Sequence, residues 1–243
     1  SDEEKYSITS LEISGQINST DLKLIREMAG RNADDSRTRG KLKNLDLRHA
    51  TIKSGGDPFF GTTTTKDDEI PAKAFYNCYS LSYVALPEGT KAVGEAAFAN
   101  TIGLDSVYVP TTGERDYVYD QGVVYSKDTT RVLTTMPFVS DKLTLQPSTK
   151  EIADNGIAGC TGLRSIEMPA SLTAIGGSAL SGNSFLTQIK VRAKKAPAVG
   201  SFAFDGISKT ECRVYVPAGY KDGYKKADGW WQFAGSNYDN IKT

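Results

Sequence analysis

The chain has 243 residues, 39% of them hydrophobic and 24% charged, which is enough apolar material for a sizeable core and unlike a disordered or collagen-like composition. Lysine plus arginine and aspartate plus glutamate both number 29, so the formal net charge is zero; with no long basic run to neutralise a phosphate backbone, no nucleic-acid partner is expected. No stretch approaches the roughly 18 apolar residues of a membrane-spanning helix, and three cysteines (Cys78, Cys160, Cys212) without a CxxC pair cannot build a disulfide framework.

From the N-terminus, Leu11 and Ile13 alternate as in a strand. Ser19-Thr20-Asp21 reads as the cap of a helix over residues 22–28, ended at Gly30. Leu42, Leu45 and Leu47 follow with LxxLxL spacing, while residues 32–41 and 53–68, polar or rich in Gly and Thr, read as loops. Residues 1–69 are thus expected to form a larger, helix-containing repeat that covers the open end of what comes next.

Residues 70–217 repeat. Ala74-Phe75, Cys78, Leu81, Val84, Leu86 and Pro87 give the template AFxxCxxLxxVxLP, which recurs 23 residues later as Ala97-Phe98, Leu104, Val107, Val109 and Pro110. Further copies start at Gly156-Ile157 and Ala179-Leu180, again 23 apart, and a weaker one runs from Ala203-Phe204 to Val214, Val216 and Pro217. Val93-Gly94 and Ile175-Gly176 precede two of the copies and read as glycine turns. LxxVxLP is the pattern of a short strand with one buried face, stopped by a proline that cannot donate to a ladder. One such unit cannot bury its apolar face alone, whereas stacked copies share a core, so a solenoid is expected. Between Leu104 and Leu163 the spacing is 59 residues, and residues 111–147 are expected to form an irregular enlarged coil: Gly122 to Leu133 as two strands around a polar turn, then Lys142 to Leu145 as a degenerate strand stopped at Pro147. Residues 218–243 are expected to close the far end with a short aromatic helix. Trp230 and Trp231 there suit either carbohydrate stacking or, as a solenoid end requires, a plug over the last coil.

These motifs resemble the BspA-like leucine-rich-repeat proteins found on the surface of Bacteroides-type anaerobes. The resemblance is carried by IxxxAFxxCxxLxxVxLP, GVVYSKDTTRVL and VYVPAGYKDGYKKADGW, with TDLKLIREMAG and LKNLDLRHATI ahead of them, and covers nearly the whole chain. Thr101 and Asn183 at the cysteine position and the enlarged central coil depart from the pattern. The fold class expected is α/β and β-rich, a right-handed leucine-rich-repeat solenoid of short strands in one continuous domain. The resemblance also implies export, a location at the cell surface or secretion, and adhesion or host-protein binding, with no catalytic residues.

The residues themselves offer little chemistry. His49 is the one histidine, in Leu47-Arg48-His49-Ala50, and is read as a surface loop residue, so neither a zinc cluster nor a Ser-His-Asp triad is expected. No GxSxG, Walker or GxGxxG motif occurs, and neither metal nor cofactor is expected. Glu3-Glu4, Asp34-Asp35 and Asp67-Asp68-Glu69 read as solvated loop charge, and Cys78 and Cys160 as small buried apolar side chains. What packing leaves free is the outward row of the strands: Asp46, Ala85, Tyr108, Glu167, Lys190 and Tyr215, and beside it Asn44, Tyr83, Ser106, Ser165, Gln188 and Arg213. Tyrosine and arginine are enriched at interfaces, so a protein-binding face is expected here, and with what the resemblance implies the chain is expected to be a non-enzymatic, extracytoplasmic adhesion module whose partner is a protein, such as a host matrix or surface protein. The alternative is a glycan-binding module using the tyrosines and Trp230 or Trp231, and a hydrolase using loop carboxylates comes a distant third.

Overall fold

A computed structural model describes residues 2–235 and 239–243 and has the β-rich solenoid architecture. In each coil the LxxVxLP segment supplies a short strand to one side of the molecule, the face, and a strand of two to five residues returns along the other. Four parallel face strands form a first sheet in the order Ser10–Glu12, Asn44–Asp46, Tyr83–Ala85, Ser106–Tyr108. Five more, Asp141–Thr144, Leu163–Met168, Gln188–Val191, Arg213–Tyr215 and Ile241–Lys242, form a second. The registers stack the apolar letter of the repeat on itself: Leu11, Leu45, Val84 and Val107 in the first sheet, and Leu143, Ile166, Ile189, Val214 and Ile241 in the second. On the return side Ile70 pairs with Val93, and Val132, Ile152, Ile175 and Val199 form a second row. A single apolar cluster extends between these sides from Ile17 to Ile241, with Phe75 and Phe98 stacked at 5.3 Å. Burying each such leucine or phenylalanine contributes roughly 1.5–3 kcal/mol.

The glycine turns expected at Gly94 and Gly176 need a different explanation. Neither has a left-handed φ; a Cβ on Gly94 would stand 2.2 Å from the Ala72 nitrogen and one on Gly176 2.6 Å from that of Asp154. Glycine is needed there because the backbones of successive coils nearly touch.

Two corrections fall near the N-terminus. The helix is Ser19–Met28 and its cap is Asn18, whose Oδ1 accepts from the Thr20 N–H while the Asn18 N–H donates to Asp21. Ser19 instead lies buried in the first turn and accepts from the Thr65 N–H at 2.7 Å. Residues 53–68, expected to be a loop, contain an antiparallel hairpin, Gly55–Phe60 with Thr63–Thr65, that lies against this helix and buries Phe59. Below it Arg26 is wholly buried, donates to the carbonyls of Lys73, Ala74 and Tyr76, and sits 5.0 Å from the centre of the Phe60 ring. Its other terminal nitrogen faces Asp35 at 3.6 Å, an ion-pair distance beyond hydrogen-bond reach.

In the enlarged coil the expected pair of strands is present as Val123–Ser126 and Arg131–Thr135, antiparallel, preceded by a third, Tyr117–Asp120. Arg131–Thr135 also joins the return side, pairing with Glu151–Ile152. The face breaks at this point: Ser106–Tyr108 ends the first sheet and Asp141–Thr144 begins the second. Contact between the flanking coils persists at their turns, where the Asn100 N–H donates to the Ala158 carbonyl at 3.2 Å and a Cβ on Gly159 would lie 2.7 Å from the Asn100 Cα. Beyond the last repeat come the helix Lys221–Lys226, a turn of tighter helix, Trp231–Phe233, and the final face strand Ile241–Lys242.

Candidate binding face

Strand alternation turns the residues between the stacked apolar ones outward. In the first sheet Asp46, Ala85 and Tyr108 are in register, as are Asn44, Tyr83 and Ser106. In the second, Glu167, Lys190 and Tyr215 form one row and Ser165, Gln188 and Arg213 the other. The expected continuous rows are therefore two pairs of rows on two sheets, because the meander replaces the pairing that would have joined Tyr108 to the strands beyond. Ala85 is a further correction: it points outward yet is fully buried, a methyl group between the larger side chains of Asp46 and Tyr108.

The first sheet carries an aromatic and arginine surface. Tyr108, 39% exposed, donates its hydroxyl to Glu88 at 2.8 Å, and that bond to a carboxylate raises its pKa. Arg48 grips Asp46 through both oxygens, and its guanidinium holds the Asp46 carboxyl below the usual range. Tyr83 is half-buried beside them.

The second sheet is cationic. Glu167 accepts from Arg192 at 2.8 Å, with Lys142 and Lys190 at 3.7 and 3.9 Å, and the arginine hydrogen bond leads the causes that lower its pKa. Ser165 donates to Gln188 at 3.2 Å, Tyr215 is half-buried, and Arg213 is exposed. Arg48, Glu88, Lys142 and Arg192 were not among the residues expected from sequence. Arg192 had a signal there, since the outward alternation simply continues past Lys190.

The remaining candidates are occupied locally. His49 is exposed in the turn after Leu47. Asp34 accepts from the Ser36 N–H, Asp67 from the Ser54 N–H, and Asp68 from Lys91. Burial pushes the thiols of Cys78, Cys160 and Cys212 up to about 11, 12 and 12, away from nucleophilic use. Among the described residues no group of three or more His, Cys, Asp and Glu side chains is placed to hold a metal ion, and no helix is long and apolar enough to cross a membrane. Trp230 cannot stack on a ligand: it is buried against Phe204 and Tyr224, and its indole N–H donates to the Pro197 carbonyl at 2.9 Å. Trp231 is 59% exposed.

The family described as the BspA-type leucine-rich repeat region matches residues 62–117 and 139–219, in 6 copies. No curated protein matches the chain. Among solved structures, a leucine-rich repeat protein of Eubacterium ventriosum is 17% identical over 72% of this chain and 51% of its own, with a TM-score of 0.45. The pneumococcal vaccine antigen PcpA is 16% identical over 98% of this chain and 68% of its own, at 0.46. A leucine-rich cell surface protein of Faecalibacterium prausnitzii is 15% identical over 98% and 73%, at 0.43. The chain spans about half the length of the first of these.

Proposed function

The chain belongs to the BspA-type leucine-rich-repeat family, and from that premise we propose that it is a non-enzymatic, extracytoplasmic adhesion module that holds a protein partner on its first face sheet. The observation that carries this reading is the grouping of Tyr83 and Tyr108 on paired strands with Arg48, in the turn after the neighbouring strand, held by Asp46. None of the three is needed inside the core, and tyrosine and arginine are the residue types that concentrate binding energy at protein interfaces. Parallel strands fix the two tyrosines and the bidentate pair with Asp46 fixes Arg48, so little side-chain order has to be gained on binding.

The test is capture of purified matrix and plasma proteins on the immobilised chain at micromolar concentration. A partner should be retained, and Tyr83→Ala with Tyr108→Ala should weaken it at least tenfold while the melting temperature stays near that of the unchanged chain. No capture, or capture indifferent to the double substitution, would sink the reading. The extracytoplasmic part is tested separately, by whether protease added to intact cells removes the protein.

A further inference from the structure

The segment Lys190-Val191-Arg192-Ala193-Lys194-Lys195 leaves the second face sheet and turns towards the return side. Its outward alternation outlasts the strand: Lys190, Arg192 and Lys194 reach solvent while Val191 and Ala193 are buried. Three surface grooves meet along it. One, of about 400 Å³, lies between Gln188, Lys190 and Tyr215; the next, about 710 Å³, runs from Arg192 past Lys194 and Lys195 to Ala198; the third, about 580 Å³, continues from Lys194 and Lys195 to Tyr220 and Gly223. The last two share Lys194, Lys195, Ala196 and Ala227 and form one trough with a cationic wall, which the first meets at Arg192.

Among the described residues Lys194 and Lys195 make no ion pair, whereas Arg192 is tied to Glu167; Asp228 is the carboxylate lining the trough. Elsewhere the trough is lined by small residues such as Ala196, Gly219 and Gly223, by Leu172, Pro197 and Val199, and by one exposed ring, Tyr220, 40% accessible. The strand ends at Val191, and the bend at Lys194 and Lys195 sets two adjacent, exposed ammonium groups beyond Arg192. The lysines thus stand at the rim of an open surface trough, where a long polyanion can lie along them. Tyr220, lining the same groove as Lys194 and Lys195, offers an apolar ring on which a sugar face can stack.

We propose that this trough binds a linear sulfated polysaccharide of the glycosaminoglycan class, a second site apart from the first face sheet. The polymer lies along residues 190–196, its sulfates meeting Arg192, Lys194 and Lys195 and one ring resting on Tyr220. Poly-glutamate distinguishes this occupant from an acidic peptide, and a flat lipid surface does not enter a trough.

The experiment measures binding of the full chain to immobilised heparin, to chemically desulfated heparin, to poly-glutamate and to a single-stranded oligonucleotide, at about physiological salt. Heparin alone should bind, with affinity falling at least tenfold between about 50 and 300 mM salt as the charges are screened. Lys194→Ala with Lys195→Ala should weaken heparin binding at least tenfold, and Tyr220→Ala severalfold. These positions are exposed, so a melting temperature near that of the unchanged chain checks that the fold is kept. Tyr83→Ala with Tyr108→Ala should leave heparin binding unchanged, which separates this site from the protein-binding face. The proposal is overturned if heparin does not bind, if desulfated heparin, poly-glutamate or the oligonucleotide binds equally well, or if the lysine substitutions have no effect.

Discussion

The cysteine position of the repeat holds Cys78, Thr101, Cys160 and Asn183, and the last three share a task that a purely apolar reading misses. Each donates to a carbonyl in the coil before it: Thr101 to Phe75, Asn183 to Ile157, and the Cys160 thiol to Met136 at 3.6 Å. Asn183 also bonds the Leu180 carbonyl of its own turn at 2.9 Å. The substitutions that look like departures in sequence therefore preserve a buried donor. Thr101→Val, nearly equal in shape, should destabilise the chain by about 1–3 kcal/mol in urea denaturation, because the Phe75 carbonyl is left without that partner; an unchanged midpoint would refute the assignment. Glycine gives a sharper contrast. Gly94→Ala should cost several kcal/mol, roughly 2–4 or more, since the clash is with backbone that cannot swing away, whereas Gly89→Ala, with nothing within 4 Å of the added atom, should change stability by about 0.5 kcal/mol or less.

Elements were legible to the degree that their pattern was local. The face strands of the repeats, the helix after Asn18 and the pair of strands around residues 127–130 could be read because alternation, capping and turn residues lie within a few positions of each other. The hairpin Gly55–Phe60/Thr63–Thr65 could not, since glycine and threonine mark a loop as readily as a strand and the support comes from a helix some 40 residues earlier. Ile241–Lys242 was likewise hidden, being only two residues long and defined by its partner, Arg213–Tyr215. For the candidate site, sequence named the outward residues but not the break between the sheets, which depends on how the meander folds back. Arg26 joins the helix to the first regular coil, and Arg26→Lys should cost about 3 kcal/mol, because an ammonium cannot serve three carbonyls and face Asp35 at once. The last strand is held by Asp239. Burial would raise its pKa, but hydrogen bonds from Lys221 and Lys225 overcome this and hold it at about 2, below its ordinary 3.8. A carboxylate depressed in the folded state contributes stability that is complete above its unfolded pKa and fades as pH falls through the folded one. The end of the molecule should thus loosen between about pH 4 and 2, seen as a change in Trp230 fluorescence, and Asp239→Asn should abolish that pH dependence.

On the scale of the molecule, repeat arrays unfold together only where neighbouring coils are well coupled. The apolar cluster passes through the enlarged coil without a gap, and Arg131 bridges Glu95 on one side and Glu151 on the other. One cooperative transition is therefore expected, with far-ultraviolet circular dichroism and the fluorescence of buried Trp230 changing at the same urea concentration; separate midpoints would mean that the coils before and after the meander melt independently. The contact of Asn100 with Gly159 has a consequence for how such proteins vary in length. It ties the later coils to the earlier ones at their turns, in addition to the path through the buried strands at residues 117–126. Lengthening the exposed loop at residues 111–114, ahead of those buried strands, should leave every downstream rung at the same height and facing the same way, so this seam can accept new chain without disturbing either row of outward side chains.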